Sequence, residues 1–179
     1  MNLPQYPTNT TDILLQPNLQ NDKTLIYLTT NEINQKQLLD FVKTPKAGSV
    51  IYFGGITRDN FKDKKVESLS YEAHSKLALK TLSNIANLAF EKFTDLNPEI
   101  DDLTPAYIHK IAIVHRLGLV PISEESIIIT VSSSHRSEGW KCGEWLLEQI
   151  KKLVEIWKIE NYNDDKSTWK VNETSNVPL

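Results

Sequence analysis

A single cysteine, Cys142, excludes an intramolecular disulfide and leaves no cysteine cluster to bind a metal. Long apolar runs are also lacking. No stretch approaches the 18 residues of a membrane-crossing helix, and the N-terminus has no charged-then-apolar secretory pattern. Neither sign of charge prevails. Twenty Lys and Arg stand against 23 Asp and Glu, which argues against general nucleic-acid binding or adhesion to an anionic membrane and leaves any functional cation to act locally. The four histidines, His74, His109, His115 and His135, show no metal-ligand spacing. Glycines number six, and the paired ones at 54–55 match neither a Walker loop nor a GxGxxG turn; a Gly-x-Ser-x-Gly elbow is absent. The expectation is a soluble, cytoplasmic globular domain with no metal, nucleic-acid or membrane partner.

What is present is concentrated in residues 126–160. Five β-branched residues in succession, Ile127, Ile128, Ile129, Thr130 and Val131, predict a strand, and the lack of polar alternation predicts burial on both of its faces. A corner with His135 and Arg136 follows. Then Trp140, Leu146, Leu147, Ile150, Leu153, Val154 and Trp157 recur at steps of three and four, predicting one long amphipathic helix with Lys141, Glu144, Glu148, Lys152 and Glu155 on the wet face. On such a helix Lys151 and Lys158 project to one side about 10 Å apart, whereas Arg136 and Lys158 are separated by roughly 33 Å. If all four basic groups serve one anion, either the helix ends early and folds back or the groups come from two copies of the chain. The second option is carried forward, since symmetric dimers are the commonest assembly.

Elsewhere the pattern predicts a strand over 24–29, a short helix over 32–42 capped by Asn31, a strand within 48–57 ending in Gly54 and Gly55, and a polar loop at 59–65 read as a hairpin loop or a lid. A strand over 66–71 leads into a helix over about 76–93. An acidic connection at 94–104 precedes a strand over 108–115, and Gly118 and Pro121 mark turns. Beyond Ile159 a polar loop is expected, with Trp169 as an anchor. Alternating strands and helices give an α+β architecture, helices covering one face of a mixed sheet. Residues 1–22 read as a flexible lead-in, 23–172 as the domain and 173–179 as a frayed tail.

Each candidate for chemistry has a plain reading beside it. His135 and Arg136 are either an anion site at a helix N-terminus or a helix start with a solvent-facing arginine. His115 and Arg116 repeat the pair, and the plain reading, a histidine held by a backbone carbonyl, is preferred. Lys151 reads first as a snorkelling surface lysine and second as a base or amine nucleophile; Lys158 is better placed, beside Trp157. Cys142 reads as packing.

Five ordered blocks, FGGITR (53–58), YEAH (71–74), IVHRLG (113–118), SSSHR (132–136) and IWKIE (156–160), resemble the molybdopterin synthase catalytic (large) subunit family. The resemblance implies an α/β hammerhead-like fold with a small additional β subdomain, and a homodimer of large subunits within a 2:2 heterotetramer with a small ubiquitin-like sulfur-carrier subunit. It implies sulfur transfer from the carrier's C-terminal thiocarboxylate to cyclic pyranopterin monophosphate, forming the dithiolene of molybdopterin, with no permanently bound cofactor. By position, Lys151 and Lys158 are implied as catalytic, and Arg58, His135, Arg136, Lys151, Lys158, Ile159 and Glu160 as substrate-binding. The site is implied at the contact between large subunits. Glu155 stands where the family often has proline, three residues before Lys158. From another class, a non-catalytic adaptor that binds the carrier is the alternative.

Overall fold

The computed structural model describes residues 13–14, 21–61, 64–94, 107–162 and 168–170. Along the chain run β1 (Ile13–Leu14), β2 (Thr24–Thr29), α1 (Gln35–Val42), β3 (Ser49–Ile56), β4 (Asn60–Phe61), β5 (Lys64–Ala73), α2 (Ser75–Phe93), β6 (Ile108–Arg116), β7 (Gly118–Pro121), β8 (Glu125–Ser133), α3 (Arg136–Leu153), β9 (Ile156–Tyr162) and β10 (Thr168–Lys170). The fold is α+β, as expected.

The main sheet has the order β1-β2-β6-β8-β3, parallel only between β2 and β6. Its central strands alternate between two cores, because successive side chains leave a strand on opposite faces. Ile26, Leu28, Ile111, Ile113, Ile127, Ile129 and Val131 meet α2 and α3. Leu25, Tyr27, Ala112, Val114 and Ile128 meet Leu38 and Val42 of α1 on the other face. The run at 127–131 is thus buried on both sides. Helices therefore cover both faces, not one: strands apolar on every residue need two covers.

A second sheet has the order β10-β9-β5-β4, and β7 pairs with β5. Gly118–Pro121 is thus a short strand bounded by the expected turn residues: Gly118 has φ 74°, and the Pro121 carbonyl accepts the Glu124 amide across the following turn. Its chain reversal comes just after it, where Ser123 has φ 68°, and Pro121 is tolerated at a strand end. Of the residues past Ile159, expected as a polar loop, 160–162 complete β9 and 168–170 form β10, while 163–167 lie outside the described residues. From the expected N-terminal lead-in, Ile13 and Leu14 pair with Leu28 and Tyr27. Helix α1 starts later than expected, capped by Asn34, whose Oδ1 accepts the Gln37 amide at 3.1 Å. The acidic connection at 95–104, the middle of the polar loop at 62–63 and the tail at 173–179 lie outside the described residues.

The principal correction concerns α3. It ends at Leu153, and Val154 takes an extended conformation with its N–H still bonded to the Ile150 carbonyl. Trp157 and Lys158 therefore belong to β9, not to the helix. Trp140 and Trp157, placed on the buried stripe by periodicity, are 62% and 43% exposed. The chain turns back because β9 pairs with β5 over Val66 to Ala73, and pairing along a whole strand outweighs one further helical turn.

Candidate functional site

Where the two sheets meet the last turn of α3, a cleft of about 230 Å³ opens. Its floor is one level of the main sheet, since β6, β8 and β3 place His115 opposite Ile127 and Ile127 opposite Gly55. Phe53 and Ser126 adjoin them. One wall is the C-terminal turn of α3, with Leu147, Ile150 and Lys151; the other comes from β5 and β9, where Tyr71 is in register with Lys158. Gly55 permits this closeness: a Cβ there would lie 2.7 Å from Ile127 Cγ2. Two sheets and a helix thus place both lysines at one cleft.

The lysines differ in setting. Lys151 is exposed in the last turn of α3, beside Lys152, where the helix C-terminus favours cations. Lys158 is half-buried, its Nζ 3.3 Å from Glu160 Oε1. Glu160 is 1% exposed, and Tyr162 donates its hydroxyl to the second carboxylate oxygen. Residues 158, 160 and 162 alternate along β9 and so share a face. A carboxylate this buried requires such partners. Glu155, expected beside Lys158, instead accepts a hydrogen bond from Thr81 of α2 at 3.3 Å, so Glu160 is the carboxylate paired with Lys158.

Beneath the lysines, His115 is buried. Its Nδ1–H donates to the Arg116 carbonyl at 2.8 Å, and its ring meets Tyr71 edge-on at 4.8 Å. Burial, only partly opposed by that carbonyl, pushes its pKa down to about 4, so the imidazole is neutral at ordinary pH. Tyr71 is held above its ordinary value, mainly by burial; its hydrogen bond with Ser126 opposes this and the Glu160 charge adds to it. The Ser126 hydroxyl in turn donates to the Gly55 carbonyl. Cys142 lies within the core, where burial pushes its thiol up to about 12, the setting of a packed rather than a reactive cysteine.

The remaining sequence-derived residues are elsewhere. Ile159 neighbours Lys158 on the opposite face of β9. Arg58 is exposed two residues beyond β3. His135 and Arg136 are exposed at the start of α3, and the fifteen helical steps from Arg136 to Lys151 rise about 22 Å. The early end of α3 thus unites the two lysines but leaves the His-Arg pair at the far end of the helix. Tyr71 and Ser126 were not legible as site residues, and His115 read first as a structural histidine. The plain reading of His115 matches its contact with a backbone carbonyl, but only the β6–β8–β3 register puts it under the lysines. Among the described residues no three His, Cys, Asp or Glu side chains converge as a metal site, and no helix is long and apolar enough to cross a membrane.

Comparison with known proteins gives concordant matches. The family model for MoaE protein matches residues 28–153. The molybdopterin synthase catalytic subunit of Phaeosphaeria nodorum is 38% identical over 178 residues, covering 99% of this chain and 88% of that protein. Its counterpart in Aspergillus fumigatus is 43% identical over 145 residues, covering 81% and 70%. The crystal structure of molybdopterin synthase from Staphylococcus aureus superposes with a TM-score of 0.68 at 32% identity, covering 80% of this chain and 94% of that one. A chain from the complex of subunits 1 and 2 of molybdopterin-converting factor from Helicobacter pylori shares the fold, with a TM-score of 0.59 at 19% identity, covering 83% and 92%.

Proposed function

Since this chain belongs to the MoaE protein family, we propose that it is the catalytic subunit of a molybdopterin synthase, an enzyme of molybdenum-cofactor biosynthesis acting in the cytoplasm. Its reaction moves sulfur from the thiocarboxylated C-terminus of a small ubiquitin-like carrier to cyclic pyranopterin monophosphate, building the dithiolene. The observation that carries this reading is the meeting of Lys151 and Lys158, from a helix and a strand, at one cleft.

The carrier tail enters this cleft between the end of α3 and β5–β9. Lys158 and Lys151 neutralise the negative charge of the thiocarboxylate and the charge that develops as its sulfur attacks. Glu160 and Tyr162 act through Lys158 by holding its ammonium on the cleft side. Sulfur arrives on the carrier, so no permanently bound cofactor takes part. The phosphate of the substrate is held by Arg58 and by His135 and Arg136, which can fork onto phosphate oxygens. Because the His-Arg pair lies about 22 Å from Lys151 along α3, it serves the cleft of a second copy, within a homodimer that carries two small subunits.

Reconstitution tests the proposal. The purified chain, a thiocarboxylated carrier and cyclic pyranopterin monophosphate should together yield a dithiolene product detectable by fluorescence after oxidation, and omission of any one should abolish it. Lys151→Ala should lower the rate at least about a hundredfold, in the range seen when one charge-stabilising group is removed, with the fold retained because the side chain is exposed. A carrier that binds in a two-to-two complex without any product would replace the enzyme with a non-catalytic adaptor.

A further inference from the structure

We infer that His115 is a further binding residue of the cleft, its Nε2 accepting a hydrogen bond from an N–H group of the bound ligand. The geometry fixes the tautomer. A backbone carbonyl can only accept, so the contact of Nδ1 with the Arg116 carbonyl at 2.8 Å keeps the ring proton on Nδ1 and leaves Nε2 as the acceptor. No protein donor to Nε2 is present among the described residues, and Nε2 is not among the occluded side-chain atoms that lack a partner. The ring lines the cleft floor, held edge-on by Tyr71.

The charged and titratable groups that share the cleft with it are Tyr71 from β5, Lys151 from α3 and Lys158 from β9; Glu160 is paired with Lys158, and Arg116, the next residue of β6, with Glu124. Burial opposes a positive charge on the imidazole, so the ring stays neutral beneath the two lysines. Such a floor complements a ligand that is anionic at the rim and carries a neutral donor further in. An amide or heterocyclic N–H fits this description.

This inference rests on the function proposed above, which supplies two sources of that donor: a peptide N–H of the carrier tail, or a ring N–H of the pterin. Two substitutions separate the cases. His115→Phe keeps an aromatic ring against Tyr71 but has no acceptor; His115→Gln offers an amide oxygen. Carrier affinity would be measured by titration and substrate KM by steady-state turnover, for the full chain in complex with its carrier.

His115→Phe should weaken one of the two by about tenfold, the worth of one hydrogen bond, with kcat changed less, and His115→Gln should recover part of the loss. A loss confined to carrier affinity identifies the peptide N–H, and one confined to KM identifies the pterin. If both stay within twofold of wild type while the wild type turns over, the inference is overturned and the function stands. A wild type without turnover would instead remove the functional reading. Should His115→Phe not fold, the imidazole nitrogen resonances of the wild type decide: Nε2 should shift when ligand is added, and an unmoved signal overturns the inference.

Discussion

At the scale of single residues, the buried imidazole of His115 ties stability to pH. An ordinary histidine in the unfolded chain titrates near 6.5, whereas in the fold His115 is held to about 4. The unfolded state therefore takes up the proton first as pH falls. The contribution is complete above about pH 6.5 and is lost progressively as the pH drops through 4, to a limit of about 3 kcal/mol. Chemical denaturation of wild type and His115→Phe at pH 7 and pH 4 should show the difference in unfolding free energy moving in favour of the variant at the lower pH. A difference that stays constant would mean that His115 is not desolvated. That sequence favours the structural reading of this histidine is also a matter of scale: its carbonyl partner is the next residue in sequence, whereas strand pairing brings it to Tyr71, Ser126 and Lys158.

For elements, α3 offers a matched pair of glycines. A Cβ on Gly139 would lie 2.6 Å from Ser133 Oγ and 2.8 Å from Ile51 Cγ1, while one on Gly143 would meet Ile51 Cγ2 at an ordinary 3.6 Å. Both positions are helical, so alanine gains up to about 1 kcal/mol of helix propensity at each. At Gly139 overpacking of about 1–3 kcal/mol outweighs that gain. Gly139→Ala should therefore lower the thermal midpoint and Gly143→Ala should raise it slightly; equal shifts would contradict the packing of α3 on β3.

The strand at 127–131 was legible because five β-branched residues admit no other reading. The end of α3 was not, because Ile150, Leu153, Val154 and Trp157 continue a helical spacing that overlaps by chance with the two-residue alternation of Ile156, Lys158, Glu160 and Tyr162. No glycine or proline marks the junction. The stop is set by β5, 87 residues earlier between the register partners Tyr71 and Lys158, which local pattern cannot register. Likewise Gly118 and Pro121 carry turn chemistry, yet both lie in an edge strand.

For the whole molecule, the separation of His135 and Arg136 from the lysines makes a sharp prediction about assembly. If each site combines the cleft of one copy with the His-Arg pair of another, Lys151→Ala and Arg136→Ala chains should be inactive separately but regain activity when dissociated and reassembled together. Random pairing gives half mixed dimers, each with one intact site, so about a quarter of wild-type activity should return. Absence of recovery from a mixture shown to exchange subunits would require every functional group to act within one chain.

The joint between α3 and β9, Val154 and Glu155, has a consequence for which genetic changes the chain tolerates. Because β9 alternates faces, the cleft depends on whether the number of residues in this joint is even or odd. Insertion of one codon would exchange the two sides of the strand, turning Lys158, Glu160 and Tyr162 away and Trp157 and Ile159 inward, although every residue type survives. Two inserted codons would restore the parity. The site is thus guarded by arithmetic as well as by amino-acid identity, and a lineage that kept all of its lysines could still lose them to a single in-frame triplet.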